Sequence, residues 1–154
     1  MNFITGDLIE LAKAGEFDVI VHGCNCFNTM SSGLAKKIHE AFPEAYLVDQ
    51  RSARGDYNKL GNYTSAFVDD PYSLQVVNAY TQFLYNRGGV VIDRFEYLAF
   101  DLILQKLAFR FPHQKFGFPM IGCGLAGGDE KLIVASLQNF SEAIQGTVTI
   151  VKMP

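Results

Sequence analysis

The sequence has few cysteines and no long apolar run, and each shortage excludes a class of protein. The three cysteines are an odd number, and two of them form a Cys-x-Cys pair, a spacing too short for a comfortable disulfide. We therefore expect a reducing, cytoplasmic compartment. No apolar stretch is long enough to span a bilayer, and the first residues lack the basic and apolar regions of a signal peptide.

Charge of either sign is also scarce. Charged residues make up 19% of the chain and the net charge is -3, with Lys and Arg scattered among at least as many acids. Non-specific binding to a nucleic-acid backbone needs clustered Lys and Arg, so we expect none. A chain of 154 residues that is 49% apolar can bury an ordinary core. Because the sequence shows no internal repeat and no linker, we expect a single domain over residues 1–154. We also expect the protein to be a monomer.

Short apolar strands alternate with helical patterns along the chain. Residues 17–23 are apolar on both faces, which is typical of a central strand in a parallel sheet covered by helices. In such a strand Val19 and Val21 face one helical layer, and Ile20 and His22 face the other. The alternation predicts an α/β protein, a three-layer α/β/α sandwich around a mixed, mostly parallel central sheet.

The pattern also predicts where the longest helix begins. Asp93 and Glu96 have the spacing of a capping box, which places the start of the helix directly after Asp93. The expected apolar stripe of this helix is formed by Phe95, Leu98, Ala99, Leu102, Ile103 and Phe111.

Two segments rich in small residues each follow a strand and precede a helix. They are residues 23–33 and 122–129, with Ser31 or Ser32 placed to cap the first helix and Asp129 the second. In open α/β sheets, ligands bind outside the carboxyl ends of the strands, where free N–H groups of helix N-termini attract anions. The sequence therefore predicts a site for a phosphate-bearing ligand held mostly by backbone groups.

Three motifs stand in a fixed order along the chain. They are ITGDL from residue 4, VHGCNCFNTMSSGLAKKIHEAFP from residue 21 and FPMIGCGLAGGD from residue 118. Together they resemble the macrodomain family, which binds ADP-ribose, and the resemblance covers the whole chain. The His-x-Cys-Asn-Cys form is most similar to the branch that contains the yeast-type ADP-ribose 1''-phosphate phosphatases and the terminal ADP-ribose glycohydrolases. The resemblance implies ADP-ribose or a derivative as the small-molecule ligand, with no metal and no cofactor.

The resemblance also implies binding roles. Asp7, with Leu8 beside it, resembles the acid that accepts a hydrogen bond from the adenine amino group, although an ordinary helix N-cap is the alternative. Asn25 resembles the asparagine that binds the distal ribose, to which an amide offers donor and acceptor; the alternative is a turn asparagine. Glycine-rich backbone is expected to wrap the diphosphate. The residues are Ile121, Gly122, Cys123, Gly124 and Leu125, with Ser31, Ser32 and Gly33 on the other side.

His22 and Asp129 are the candidate catalytic residues. His22 resembles the catalytic histidine of the yeast-type phosphatases, and an imidazole that titrates near neutrality can exchange a proton during phosphomonoester cleavage. The alternatives are a buried, hydrogen-bonded histidine and, for Asp129, a simple N-cap. The resemblance thus implies hydrolysis of the terminal phosphate of ADP-ribose 1''-phosphate. A non-catalytic ADP-ribose-binding module and an ADP-ribosyl hydrolase acting on modified protein or nucleic acid are the other functions.

The sequence departs from the glycohydrolases of that branch at two places. Those enzymes use a lysine after the middle strand and an acid directly after GCGL, whereas the segment VVNAYTQFLY has no lysine and Ala126 follows Leu125. These departures argue against that chemistry. Aromatic residues stand after the strand instead, either to close over the distal ribose or to be buried against the long helix. They are Tyr80, Phe83 and Tyr85.

The cysteines allow a second kind of site. Cys24, Cys26 and Cys123 could converge with His22 as a metal site, since all four follow strands that end at one edge. Metal-binding pairs usually have two residues between the cysteines, so we favour a role as small packing residues.

Overall fold

The protein is a layered structure of helices on both faces of one sheet. In the computed structural model, which describes residues 1–85, 94–124 and 126–154, the chain forms six strands and five α-helices. The strands are β1 (Asn2–Thr5), β2 (Val19–Cys24), β3 (Tyr63–Val68), β4 (Leu74–Tyr80), β5 (Lys115–Pro119) and β6 (Thr147–Lys152). The helices are α1 (Leu8–Lys13), α2 (Gly33–Ala41), α3 (Pro43–Gln50), α4 (Tyr97–Arg110) and α5 (Glu130–Ala143), with a 3₁₀ turn at Tyr57–Lys59.

The strand order in the sheet is β1-β6-β5-β2-β4-β3. Every neighbouring pair is parallel except β3 and β4, which are antiparallel. The predicted mixed, mostly parallel sheet is therefore confirmed. Because five strands run in one direction, their carboxyl ends meet at one edge of the sheet, and this edge holds the candidate site.

The central strand β2 divides the core as its sequence predicts. Val19 and Val21 pack in a cluster with α4 and α5, whereas Ile20 packs in a second cluster with α1, α2 and α3. Since side chains alternate along a strand, His22 lies on the same face as Ile20. The imidazole is therefore on the side of the sheet that α2 and α3 cover.

The connection between α2 and α3 depends on Pro43. Proline cannot continue a helix, so α2 ends at Ala41, but its fixed backbone angle suits the first turn of α3.

No helix within the described residues has the length and apolar character that crossing a membrane requires.

The start of α4 differs from the predicted one. Glu96 has extended backbone angles of φ -100 and ψ 105 and makes no capping hydrogen bond with its side chain, and the helix begins one residue later. The amide of Phe95 donates to the carbonyl of Ala126 at 3.1 Å, and the amide of Glu96 donates to that of Thr81 at 2.7 Å. These long-range bonds replace the first helical turn. The predicted cap, Asp93, lies outside the described residues.

The apolar stripe of α4 was also predicted only in part. Leu98 and Leu102 were expected inside, but 72% and 42% of their surfaces are exposed. Apolar residues occur almost all round this helix, so spacing alone does not determine which stripe faces the sheet. The buried residues are Ala99, Phe100, Ile103, Leu104 and Leu107.

Candidate functional site

A cavity of about 660 Å³ lies at the carboxyl edge of the sheet. Its walls are the β2–α2 loop (residues 25–32), the start of α2 and the β5–α5 loop (residues 120–129, of which residue 125 is outside the description). The ends of β2, β5 and β6 and the residues that follow β4 also contribute to the lining. A cavity of this size is within the range of small-molecule and cofactor sites.

The lining carries no formal charge where the structure describes it. Among the described lining residues there is no Lys, Arg, Asp or Glu, and the polar side chains besides His22 are Asn25, Thr29, Ser31, Ser32, Thr81, Gln82 and Tyr85. In the part of the chain that the structure describes, the lining groups that can hold an anion are therefore backbone N–H groups and neutral side chains.

The N-terminus of α2 supplies such backbone donors. Ser32 stands at the N-cap position with extended angles of φ -147 and ψ 161, and its side chain makes no capping hydrogen bond. Gly33 follows with φ +57, and both residues line the cavity. The first N–H groups of a helix have no partner within the helix, so this end of α2 can bind an anion.

The β5–α5 loop is folded tightly against the start of α4. Gly122 has φ +75, and its carbonyl accepts a hydrogen bond of 2.7 Å from the amide of Gly128. A Cβ on residue 122 would overlap the ring of Phe95, 2.6 Å from its Cγ. Only glycine fits this position, because both the backbone angle and the space exclude a side chain.

The side chain of Asn25 holds its own loop in place. Its amide nitrogen donates to the Thr29 carbonyl at 3.2 Å and to the Thr29 hydroxyl at 2.6 Å. Its Oδ1 accepts from the amide of Phe27 at 2.8 Å. Since an amide has two hydrogens and the oxygen two lone pairs, one acceptor position on Oδ1 is left for a ligand. The predicted donor function of this amide is thus already used within the protein.

His22 forms the floor of the cavity and is only 1% exposed. Its Nε2 is 2.6 Å from Oδ1 of Asn78, whose NH₂ group donates to the carbonyl of Ala45 and to the hydroxyl of Thr64. The Asn78 oxygen is therefore the acceptor, and Nε2 of His22 carries the hydrogen. Burial lowers the pKa of His22 from 6.5 to about 4, against the opposing effect of the Asn78 hydrogen bond. At neutral pH the ring is uncharged and Nδ1 has the lone pair, with the sulfur of Cys24 3.8 Å away.

The hydrogen bonds continue beyond Asn78 into the protein. The hydroxyl of Thr64 lies 2.8 Å from that of Tyr80, and Tyr80 donates to Oδ1 of Asp49 at 2.7 Å. Burial raises the pKa of Asp49, while the Tyr80 hydrogen bond and the charge of Lys59 act against that rise. A chain of side chains therefore connects the cavity floor to a buried carboxyl group on α3.

Comparison with known proteins identifies a relative. No model of a known protein family matches the chain. It is 32% identical over 155 residues to the uncharacterized 17.5 kDa protein of the tk-vs intergenic region of enterobacteria phage T4, and the match covers 94% of this chain and 92% of the phage protein. The chain belongs to the family of this phage protein.

Solved structures identify the fold. The macrodomain of Thermus aquaticus DarG superposes with a TM-score of 0.76 at 18% identity, covering 99% of this chain and 97% of that one. Thermosipho africanus DarTG in complex with ADP-ribose matches with a TM-score of 0.77 at 15% identity, covering 99% of this chain and 41% of that chain. The chain has the macrodomain fold.

Within this macrodomain fold, Asp7 and Leu8 follow β1. Oδ1 of Asp7 accepts from the amide of Ile9 at 2.9 Å and from the next amide at 3.1 Å, so Asp7 caps α1, and Leu8 is buried. Neither is among the described residues that line the cavity. They lie beside the end of β6, which contributes Val151 and Met153 to the lining.

Asp129 caps α5. Its Oδ1 accepts from the amide of Lys131 at 2.9 Å, its own amide donates to the Tyr97 hydroxyl at 2.7 Å, and it is not among the described lining residues. Free donors were predicted at the N-termini of both helices. At α2 the Ser32 side chain makes no capping hydrogen bond, whereas at α5 the Asp129 carboxylate accepts from one of these donors and adds a negative charge there.

The other predicted residues have different positions. The structure brings Ser31, Ser32, Gly33, Ile121, Gly122, Cys123 and Gly124 together at the cavity wall, and Leu125 lies outside the described residues. Of the three aromatic residues after β4, Tyr85 lines the cavity and Phe83 packs on Phe27 with ring centroids 5.0 Å apart. Tyr80 is buried, and its hydroxyl bonds towards α3 rather than α4.

The cysteines pack or line the cavity. All three lie within the described residues and are free thiols, and no group of three His, Cys, Asp or Glu side chains in that part of the chain is placed to hold a metal ion. Cys24 has its sulfur 3.7 Å from Nε2 of His22, and Cys26 is buried in a cluster with Tyr80. Burial raises the pKa of Cys24 well above that of a free thiol, so it stays protonated.

The sequence did not predict several residues of the site. Thr29, Thr81 and Gln82 line the cavity, and Asn78 and Asp49 support its floor. Asn78 had a detectable signal, since it is a polar residue inside an apolar strand. Asp49 had none, because a carboxylate at the end of a short helix is ordinary at a surface.

Proposed function

We propose that the protein binds ADP-ribose in this cavity. The observation that carries the proposal is the position of the cavity between two loops of small residues, beside the N-terminus of α2 that Ser32 leaves without a side-chain cap. Backbone donors in such a wall suit the diphosphate of a nucleotide. The ligand of the Thermosipho africanus structure supports the same choice.

The proposed orientation of ADP-ribose follows the lining. The diphosphate lies between the start of α2 and the β5–α5 loop. In the described part of that loop the amides of Ile121, Cys123, Gly127 and Gly128 donate within the protein, and those of Gly122 and Gly124 carry no recorded hydrogen bond. The terminal ribose lies towards Asn25 and Tyr85, and a ribose hydroxyl donates to the remaining lone pair of Asn25 Oδ1. The adenine lies at the other end, against Val151 and Met153 and near Asp7.

Isothermal titration calorimetry tests the proposal. The native protein is expected to bind ADP-ribose but not adenosine, which lacks the phosphates. Because the described lining has no charged side chain, raising NaCl from about 50 mM to about 300 mM is expected to change the affinity by less than about threefold. Absence of ADP-ribose binding, or equal affinity for adenosine, would contradict the proposal.

Hydrolysis of the terminal phosphate of ADP-ribose 1''-phosphate is a second candidate function, favoured by His22. This side chain lines the cavity floor, and its tautomer, with hydrogen on Nε2 and a lone pair on Nδ1, is fixed by Asn78. In the proposed reaction, water attacks phosphorus as its proton passes to Nδ1, the bond between phosphorus and the ribose 1'' oxygen breaks, and the proton then passes from the imidazolium to that oxygen. The products are phosphate and ADP-ribose. The neutral imidazole is therefore the group that first takes a proton, and Asp129, which is not among the described lining residues, is the second candidate for proton transfer.

Phosphate release from ADP-ribose 1''-phosphate tests this second function. Since the pKa of His22 is about 4, kcat is expected to stay constant from about pH 8 to about pH 5 and to fall only as His22 becomes protonated near pH 4. His22→Gln keeps an amide donor towards Asn78 but cannot take a proton, so we expect kcat to fall about 100-fold with ADP-ribose affinity retained.

Two results separate the alternatives. An Asp129→Asn variant keeps an oxygen for the cap, so unchanged kcat assigns Asp129 to the helix and a large loss assigns it to the reaction. ADP-ribose binding without phosphate release from the native protein contradicts the phosphatase. The two remaining functions are then binding of ADP-ribose without turnover and release of ADP-ribose from modified protein or nucleic acid. Measuring that release separates them.

A further inference from the structure

Lys59 is a buried cation that the proposed binding and hydrolysis do not use. It ends the 3₁₀ turn between α3 and β3, and only 8% of its surface is exposed. Its Nζ lies 4.5 Å from the centre of the Tyr80 ring, and burial lowers its pKa, against the charge of Asp49. Within the described residues no carboxylate forms a salt bridge with it. A buried ammonium without an ion pair is costly, so its contacts need an explanation.

Those contacts join two segments of the chain. Nζ donates to the side-chain oxygen of Asn28, to the Ser52 hydroxyl at 2.7 Å and to the carbonyl of Cys26 at 3.3 Å. Asn28 and Cys26 belong to the β2–α2 loop, whereas Ser52 follows α3. Lys59 therefore attaches the loop that forms one cavity wall to the helical layer behind it.

Asn28 is the residue that this attachment fixes most firmly. It has φ +59, a conformation that residues other than glycine rarely adopt. Its NH₂ group donates to the Ser52 carbonyl at 2.9 Å, and its own carbonyl accepts from the side chain of Gln50 at 2.7 Å. The Ser52 hydroxyl also donates to the side-chain oxygen of Asn28, at 3.4 Å. With the Lys59 contact, four hydrogen bonds to groups outside the loop hold this one residue in a left-handed conformation.

The conformation of Asn28 determines the position of Asn25. The residue directly after Asn28 is Thr29, whose carbonyl and hydroxyl both accept from the Asn25 amide. A change in the backbone at Asn28 therefore moves the acceptors that orient Asn25. The other cavity wall, the β5–α5 loop, receives no contact from Lys59 among its recorded hydrogen bonds in the described residues.

We propose that Lys59 is a positioning residue for the distal-ribose end of the cavity, which acts through Asn28 and Asn25 to favour ADP-ribose over ADP. The inference rests on the proposed binding of ADP-ribose. Only the terminal ribose reaches Asn25 in that orientation, so the effect of Lys59 is confined to ligands that carry it. A residue that merely stabilised the fold would affect both ligands alike.

Calorimetry with ADP-ribose and with ADP on the same variants is the test. Lys59→Met keeps the length of the side chain and removes the donors, and it is expected to weaken ADP-ribose binding about tenfold while ADP binding stays within about twofold. Lys106→Met is the matched control. Lys106 also donates to a backbone carbonyl, that of Gly61, and to an asparagine side chain, that of Asn62, and both acceptors lie outside the β2–α2 loop. Both ligands should bind Lys106→Met as they bind the native protein.

Circular dichroism and thermal unfolding test whether Lys59→Met folds. If it does not fold, a second variant carries the test. Asn28→Gly accepts the positive φ without strain and removes the contacts to Lys59 and Ser52, so we expect the same selective loss. Equal weakening of both ligands, or no weakening of ADP-ribose, overturns the inference. Absence of ADP-ribose binding by the native protein overturns the proposed function, and this inference with it.

Discussion

Replacing Gly122 with alanine is expected to weaken ADP-ribose binding about 100-fold, the equivalent of losing one or two hydrogen bonds to a charged group. Residue 122 has φ +75, and an added Cβ overlaps the Phe95 ring. The backbone must therefore move. Because the carbonyl of Gly122 accepts from the amide of Gly128, the movement extends through the loop that faces the diphosphate. Titration calorimetry measures the affinity.

Gly15→Ala is the matched control for this change. Gly15 also has a positive φ, +84, but no atom lies within 4 Å of the position that its Cβ would take. It follows α1 and is not among the described lining residues. We expect a stability loss of about 1 kcal/mol from backbone strain and unchanged affinity. Similar affinity losses in both variants would contradict the role given to the β5–α5 loop.

Asn78→Leu is expected to lower the free energy of unfolding by about 4 kcal/mol, since it leaves two buried groups without a partner. Asn78 accepts from Nε2 of His22 and donates to the carbonyl of Ala45, at 2.6 and 2.9 Å. Leucine has a similar volume, so the loss comes from hydrogen bonding rather than from a void. Urea unfolding at neutral pH measures it.

The same substitution at an exposed asparagine gives the comparison. Asn62 also has hydrogen-bonded partners, Asn58 and Lys106, but water can replace them there. Asn62→Leu is therefore expected to change stability by no more than about 0.5 kcal/mol. If the two variants lost similar amounts, the buried chain from His22 to Asp49 would have no special part in stability.

Much of the fold was predictable from local patterns. The apolar residues on both faces of β2 predicted a central strand, and the alternation of Val19 and Val21 with Ile20 and His22 predicted which layer each faces. Pro43 predicted the end of α2, and Ser31 or Ser32 was predicted at its start, where the structure has Ser32. These features depend on backbone geometry and side-chain periodicity, which act over a few residues.

The start and orientation of α4 were not predictable in this way. Apolar residues lie almost all round this helix, and packing on the sheet decided that Ile103 is buried and Leu98 exposed. At its start, Glu96 bonds to the carbonyl of Thr81 rather than to a helical turn. Hydrogen bonding between distant segments replaced the capping box that the sequence predicts.

The candidate site shows the same division. The motifs predicted which loops meet at the sheet edge, and the cavity is lined by residues of both. They did not predict that the Asn25 amide already donates to the carbonyl and the hydroxyl of Thr29. The cap that Asp129 makes on α5 is one of the two roles that the sequence offered for this residue. Such partners are decided by which lone pairs and hydrogens the folded chain leaves free.

The sequence alone determined the order of the elements, the two faces of the central strand and the loops that form the cavity. The tertiary structure decided the charge state of His22 and the support of the β2–α2 loop, because their partners are distant in the chain. His22 is 56 residues from Asn78, and Lys59 is 31 residues from Asn28. Periodicity determines which side chains turn inward, but folding brings together the groups that satisfy a buried donor or charge.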